Sequence, residues 1–259
     1  MAIRLSANLG FLYLELPLIE RIGAAARDGF PAVEFHWPYD IPLDELKARC
    51  AANKVSVIGV NTIRGDAAKG DNGLAALPGR EAEFAAAFTQ ALTYAGGLGA
   101  SGIHVMAGNT AGLDQAACRR VLIANLTRAS AEAEGSGVTL LLEALNRYDA
   151  PGYFYHTYEE AAAIIAETAA GNIKLMFDTY HASIEGGDLT RRMQRFWPLI
   201  GHIQIAAVPD RGEPGSGEID YRHVLDEIDR LGWPGFVGAE YRPRGGTTAG
   251  LAWRKACGL

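Results

Sequence analysis

A regular alternation of short apolar runs and longer amphipathic segments constrains the fold of this chain more than any other feature. Eight β-prone runs are each followed by a helical pattern. This alternation is typical of parallel α/β sheets, in which a helix connects each strand to the next. The predicted strands span 3–8, 32–37, 55–62, 102–107, 138–143, 173–178, 202–206 and 236–240. The predicted helices include one over 188–197 after the sixth strand, a short terminal one over 249–256, and one that begins at Thr157, whose hydroxyl can cap it while Glu160 completes the capping box.

Eight such units in 259 residues indicate a closed barrel. A (β/α)₈ barrel typically needs about 250 residues, and the chain is 49% hydrophobic, enough for a sizeable core. The competing architecture is an open doubly wound sheet. The first strand is followed only by Asn8-Leu9-Gly10, however, and not by the G-x-G-x-x-G motif of that fold. We therefore expect one α/β TIM barrel, a single (β/α)₈ domain covering residues 1–259.

The composition favours a small-molecule partner. A net charge of −6 disfavours nucleic acids and anionic membranes, which attract clustered positive charge. Cys50, Cys118 and Cys257 show no metal-type spacing and are odd in number, which indicates free thiols in a reducing compartment. No apolar run approaches the roughly 18 residues of a membrane span. We expect a cytoplasmic protein, and the composition leaves a homo-oligomer open.

Polar residues stand at or near the ends of four predicted strands, on the same side of each. The run 173–178 ends at Asp178, and other strands carry Glu143, Gln204 and Glu240. Alternate residues of a barrel strand face the axis, and all four side chains belong to that axial set. Because barrel enzymes keep their active sites at the carboxyl ends of the strands, we expect the four to converge there.

The chemistry of these four side chains favours a divalent metal ion. They offer oxygen ligands unless His181 or His202 joins them, and oxygen ligands suit Mg²⁺ or Mn²⁺ before Zn²⁺. Crowded carboxylates would repel one another without a cation between them. The alternative is that Glu143 and Asp178 are strand-end caps paired with rim arginines, but convergence of four such groups favours the metal site.

Six segments form motifs that are spread over nearly the whole chain: EFHWPYD at 34–40, EALN at 143–146, FDTYH at 177–181, HIQIAAVPDRGEPGSGEIDY at 202–221, VGAEYRP at 237–243 and TTAGLAWRK at 247–255. The most specific feature is a glutamine on the seventh strand followed by a PDR-x-EP-x-x-GE loop. Together these motifs resemble the hydroxypyruvate isomerase family of xylose isomerase-like barrels.

The resemblance implies roles for individual residues. One divalent metal ion would be held by Glu143, Asp178, Gln204 and Glu240. Glu143 and Glu240 would transfer the proton. His181 and Arg211 would contact the substrate. Related ketose epimerases usually carry histidine at the position of Gln204, so this chain is more similar to the isomerases.

The resemblance implies isomerisation of hydroxypyruvate and tartronate semialdehyde by proton transfer through an enediolate. A hydride shift is the mechanistic alternative, although the sequence shows one ligand cluster and not two. Arg211 is the first candidate to bind the substrate carboxylate, with Arg64 and Arg242 as alternatives, because a guanidinium can bind a carboxylate through two hydrogen bonds.

Other functions remain open at this point. The same site could isomerise a 2-oxo-tetronate or act as a ketose 3-epimerase on a longer sugar. An apurinic-site endonuclease shares this barrel family but requires several zinc ions and a basic DNA-binding face, which an acidic chain with six histidines does not favour. A barrel that binds a ligand without catalysis is the last alternative.

Overall fold

The structure, a computed structural model, describes residues 3–259 and confirms the predicted closed parallel barrel. Neighbouring strands pair in sequence order, and β8 closes the sheet against β1. The strands are β1 Arg4–Asn8, β2 Ala32–Glu34, β3 Ser56–Asn61, β4 Gly102–His104, β5 Thr139–Leu142, β6 Ile173–Asp178, β7 Ile200–Ile205 and β8 Phe236–Ala239.

Helices connect the strands on the outside of the barrel, and local capping explains where several of them begin. Asp114 accepts hydrogen bonds from the first backbone N–H groups of α4, and the predicted capping box of Thr157 and Glu160 opens α5. The helices are α1 Leu18–Arg27, α2 Leu43–Asn53, α3 Glu81–Leu98, α4 Gln115–Glu132, α5 Tyr158–Thr168, α6 Thr179–Gly186, α7 Leu189–Phe196, α8 Tyr221–Arg230, α9 Thr247–Gly250 and α10 Trp253–Ala256.

Two helix predictions need correction. The sequence predicted one helix over 188–197 after β6, but α6 precedes α7 and begins directly at the strand end. It forms there because the Asp178 carboxylate accepts a hydrogen bond from the backbone N–H of Tyr180 and so caps the first turn. The predicted terminal helix 249–256 is divided into α9 and α10.

The predicted alternation along the strands, in which one set of residues faces the helices and the other faces the barrel axis, agrees with the structure. Residues of the helix-facing set, such as Leu142, Phe177 and Ile203, are fully buried, and the Phe177 ring lies 4.7 Å from that of Tyr158 on α5. A space of about 10 Å³ lies inside the barrel, and its lining includes Glu34, His202 and Gln204. This space is too small for a substrate, so we expect a substrate site at the mouth of the barrel.

No helix in the described part of the chain has both the length and the apolar character needed to cross a membrane.

Candidate active site

Three carboxylates meet at the carboxyl-terminal mouth of the barrel. Asp178 is the last residue of β6, while Glu143 and Glu240 directly follow β5 and β8. All three are buried, and Asp178 has no exposed surface. They converge because parallel strands of a closed barrel end at the same rim. The predicted grouping of these acids at the mouth therefore agrees with the geometry.

The two oxygens of Asp178 have different partners. Oδ1 accepts the hydrogen bond that caps α6, at 2.8 Å from the backbone nitrogen of Tyr180. Oδ2 faces the mouth of the barrel, where it lies 3.8 Å from Nε2 of His181. Nε2 of His181 is also 3.7 Å from Oε1 of Glu143. Glu143, Asp178 and His181 each offer one ligand atom, and these atoms lie within 4.8 Å of one another.

The surroundings of His181 identify its tautomer. Its Nδ1 accepts a hydrogen bond from the backbone N–H of Asn146 at 3.0 Å, so the ring proton of the neutral imidazole is on Nε2. Burial lowers the pKa of His181 well below its usual value, and the charge of Arg211 lowers it further. His181 thus presents a neutral Nε2–H to the mouth of the barrel, which suits a hydrogen-bond donor to substrate better than a metal ligand.

Arg211 joins two of the carboxylates. Its Nη2 lies 3.2 Å from Oδ2 of Asp178 and 3.2 Å from Oε2 of Glu240. The guanidinium carbon is 4.5 Å from the centre of the Phe11 ring and 4.9 Å from that of Tyr180. A backbone φ of 57° at Arg211 is unusual for a residue with a side chain. The loop after β7 therefore directs this guanidinium inward, against the acid cluster.

His36 is a second partner of Glu240, a contact that the sequence analysis did not predict. Its Nε2 lies 2.9 Å from Oε1 of Glu240, and its ring contacts those of Phe11 and Trp37. Burial would raise the pKa of Glu240, but the charge of Arg211 and the contact with His36 hold it below its usual value. Glu240 is therefore ionised and fixed in position.

Glu143 has the opposite electrostatic environment. Burial raises its pKa well above the usual value, and the charges of Glu240 and Asp178 raise it further. Burial likewise raises the pKa of Asp178, to about 7, although Arg211 opposes the shift. A cation bound at the mouth would oppose these shifts and favour the ionised forms of Glu143 and Asp178.

Gln204 lies on β7, where it pairs in register with Asp178 on β6. Its Nε2 donates a hydrogen bond of 2.9 Å to Oε2 of Glu34 inside the barrel. Its Oε1 is buried and has no hydrogen-bond partner among the described residues. Since unpaired buried oxygens are rare in folded proteins, this atom suggests a missing partner.

The unpaired atoms fit a hard divalent cation. Glu143 Oε1 and Gln204 Oε1 are buried oxygens without a hydrogen bond from residues 3–259, while Glu240 Oε2 has the Arg211 guanidinium as its neighbour. Carboxylate and carboxamide oxygens are ligands that Mg²⁺ and Mn²⁺ prefer. The predicted ligand set is thus chemically suited to such an ion.

His104 is a site residue that the sequence analysis did not identify. Its Nδ1 is 3.5 Å from Oε2 of Glu143, and burial lowers its pKa to about 4, which keeps the ring neutral. The pairing of β4 with β5 would have identified His104 as an axial residue, because it lies in register with Leu141, an axial residue of β5. The register between two strands cannot be deduced from the sequence of one short strand.

A cavity of about 190 Å³ opens above the carboxylates. It is smaller than the roughly 300–1,000 Å³ of sites for drug-sized ligands, so it suits a short substrate. A wider groove of about 810 Å³ near the start of β5 has Glu134 as its only charged lining residue and offers no comparable cluster. The small cavity is lined by Phe11, His36, Trp37, Asn61, Arg64, Asn72, His104, Met106, Glu143, Leu145, Asp149, Ala150, His181, Arg211, Glu240 and Arg242.

Comparison with known proteins gives full-length matches. The model of a family described as a xylose isomerase-like TIM barrel matches residues 22–257. A 2-oxo-tetronate isomerase from Cupriavidus necator is 47% identical, with 97% of each chain covered. The hydroxypyruvate isomerase of Escherichia coli K12 is 38% identical, covering 97% of this chain and 98% of the relative. A crystal structure of an AP endonuclease, family 2, from Brucella melitensis has a TM-score of 0.96 at 39% identity, covering 98% and 99% of the two chains.

Proposed function

The chain belongs to the xylose isomerase-like TIM barrel family and is an isomerase, and on that basis we propose that it interconverts short 3-hydroxy-2-oxo acids and 2-hydroxy-3-oxo acids. The observation that carries this proposal is the buried pair of Glu143 and Glu240 at the barrel mouth. Two carboxylates facing one small cavity suit a reaction that removes a proton from one carbon and returns a proton to its neighbour.

The proposal includes one divalent metal ion, with Mg²⁺ or Mn²⁺ preferred and Zn²⁺ second. The proposed ligands are Glu143, Asp178, Gln204 and Glu240. When bound, such an ion polarises a carbonyl group and stabilises negative charge on neighbouring oxygens, an effect worth several kcal/mol.

In the proposed reaction, one of the two glutamates accepts the proton from C3 of the substrate, which gives an enediolate. The proton then passes to the other glutamate, which donates it to C2, so both glutamates end the turnover ionised as they began it. The hydroxyl proton passes from the oxygen on C3 to the oxygen on C2, so no atom is gained or lost. His181 contributes its Nε2–H as a donor to a substrate oxygen, and Arg211 keeps Glu240 beside Asp178.

The substrate carboxylate needs a cation that is not already engaged. Arg211 lies near three acids, since Asp149 is a further 3.7 Å neighbour. Within residues 3–259, Arg64 and Arg242 form no ion pair, although both line the cavity. Arg64 donates through Nε to Asn72 at 3.1 Å, which leaves the end of its guanidinium for a ligand. We therefore propose that Arg64 and Arg242 bind the substrate carboxylate. Arg211 would instead face the oxygens on the reacting carbons, C2 and C3.

Hydroxypyruvate and 2-oxo-tetronate both fit this scheme, because both carry a carboxylate at C1, an oxo group at C2 and a hydroxyl group at C3. The tetronate has one further hydroxymethyl group. One relative named for the tetronate is 47% identical to this chain, whereas two others of that name, at 37% and 36%, are slightly less similar than the hydroxypyruvate isomerase at 38%. The 47% relative favours the four-carbon acid as the first candidate substrate, with hydroxypyruvate as the second.

Steady-state kinetics of the Mn²⁺-loaded protein with both acids test this assignment. We expect turnover of both, with the higher kcat/KM for 2-oxo-tetronate, and weak activity on the neutral four-carbon ketose that lacks the carboxylate. DNA with an abasic site serves as a control for the endonuclease alternative and should remain uncut. Cleaved DNA together with inactivity on both acids would contradict the proposed function.

The proton route is tested by turnover in heavy water. Because the proton removed from C3 exchanges with solvent while it resides on a carboxylate, we expect deuterium at C2 of the product. Proton NMR of the product measures this directly. Full retention of the substrate hydrogen at C2 would instead indicate a hydride shift and contradict the proton transfer.

A further inference from the structure

A buried polar network lies inside the barrel, on the inner side of the proposed metal site. Glu34 on β2 is 4% exposed. Its Oε1 accepts a hydrogen bond of 2.5 Å from Ser6 on β1 and lies 3.1 Å from Nε2 of His202 on β7. Its Oε2 accepts the 2.9 Å hydrogen bond from Gln204. Two strands, β1 and β7, thus direct three polar side chains at one carboxylate inside the barrel, a position that apolar side chains usually fill.

Both oxygens of Glu34 accept hydrogen bonds from neighbouring side chains. Ser6 donates to Oε1 and Gln204 donates to Oε2. A side chain that faces these two acceptor oxygens must present a donor.

This requirement determines the orientation of the Gln204 amide. The two ends of a carboxamide have nearly the same shape, so packing alone does not distinguish Oε1 from Nε2. Glu34 accepts from Nε2, which turns Oε1 to the opposite side, where it has no partner among the described residues. An amide oxygen can bind a hard cation, whereas the amide nitrogen with its two hydrogens cannot.

The neighbouring strand leaves room for this pair. Gly238 on β8 is in register with Gln204. A Cβ at Gly238 would lie 2.4 Å from Oε1 of Glu34 and 2.9 Å from Cγ of Gln204. Any larger residue at this position would displace one of the two side chains, so the backbone accommodates their contact.

From this geometry we propose that Glu34 is a positioning residue, which holds the Gln204 amide with its oxygen toward the divalent cation. This inference rests on the proposed function, because it assumes that Gln204 is a ligand. Glu34 itself does not touch the ion or the substrate. Groups that orient metal ligands in this way typically contribute about 10- to 100-fold in metal affinity.

The test is Mn²⁺ binding to the wild-type protein and to E34Q, measured by isothermal titration calorimetry without substrate. The amide introduced at position 34 can present either its oxygen or its nitrogen, so it no longer selects one orientation of Gln204. We expect E34Q to bind Mn²⁺ about 10- to 100-fold more weakly. Equal affinity in the two proteins would overturn the positioning role, whereas absence of Mn²⁺ binding to wild type would instead overturn the proposed metal site.

The double variant E34Q/Q204E separates orientation from general damage to the barrel. A carboxylate at position 204 has an oxygen at both ends, so it needs no orienting partner, and it can accept a hydrogen bond from the amide at position 34. We expect it to regain most of the lost Mn²⁺ affinity. A double variant as weak as E34Q, with both proteins folded by circular dichroism, would contradict the inference.

Two further variants complete the test. S6A removes the hydrogen bond to the other oxygen of Glu34 and leaves the contact with Gln204, so it should bind Mn²⁺ within about twofold of wild type, as expected for a group that orients no ligand. E34D keeps the charge but draws the carboxylate back from Gln204, and it provides the test if E34Q does not fold. We expect E34D to bind more weakly than S6A, and the reverse order would overturn the proposal.

Discussion

Replacing either Glu143 or Glu240 with glutamine is expected to lower kcat by about 10²- to 10⁴-fold, the usual contribution of a general acid or base. Both side chains line the same small cavity, and glutamine keeps their shape while losing the ability to carry a proton. The measurement is kcat at saturating Mn²⁺ and substrate, so that weaker metal binding does not contribute. Circular dichroism checks that each variant is folded.

The double variant E143Q/E240Q and a surface control sharpen this result. If the two glutamates act in one proton transfer, the double variant should be little worse than the poorer single variant, because effects of groups that act as a unit are not additive. Glu167 is on α5 and pairs with Arg119 at the surface, so E167Q should retain activity within about twofold, as is usual for surface changes. Either single variant within tenfold of wild type would contradict the assigned role.

Removal of divalent metal ions is expected to have the second largest effect. Without a cation, burial and the neighbouring charges keep the pKa of Glu143 well above its usual value, which favours the protonated form of this carboxyl, and a protonated carboxyl cannot act as a base. Loss of several kcal/mol of charge stabilisation corresponds to a decrease of about 10²-fold or more in kcat/KM. We expect treatment with a chelator, followed by its removal, to produce this loss.

Addition of Mn²⁺ or Mg²⁺ should restore activity, with one ion bound per chain by calorimetry. Because Glu143 and Asp178 must lose protons to bind the ion, affinity should increase as pH rises. The pKa of Asp178 is raised to about 7, so the increase should extend through neutral pH. Full activity after verified metal removal would show that the carboxylates act without a cation, contrary to the proposal.

Much of the fold could be predicted from the sequence because its local signals agree with one another. β6 occupies the predicted residues, Ile173–Asp178, and the capping box of α5 is present as expected. The first helix after β6, α6, was missed because Asp178 has two roles. The sequence analysis treated it as a metal ligand, whereas one of its oxygens also caps α6.

The acids of the site could be predicted because parity along a strand identifies side chains on the axis. Contacts between side chains on different strands could not be predicted. The contact of His104 with Glu143 depends on the pairing of β4 with β5, and that of Glu34 with Gln204 connects β2 to β7 inside the barrel. Such contacts follow from barrel closure and register, which no local pattern in one sequence specifies.

The position of Arg211 was also beyond prediction. The sequence placed it in a loop, but its left-handed backbone turns the guanidinium between Asp178 and Glu240. The prediction that it contacts substrate therefore remains a proposal, and Arg64 and Arg242 become the better candidates for the carboxylate.

Anomalous diffraction from crystals of the protein grown with Mn²⁺ tests the metal site most directly. We predict a single anomalous peak at the mouth of the barrel, in direct contact with the amide oxygen of Gln204 and with carboxylate oxygens of Glu143, Asp178 and Glu240. Crystals in which this position shows no peak, although the protein turns over its substrate with Mn²⁺ in the same buffer, would contradict the proposed centre.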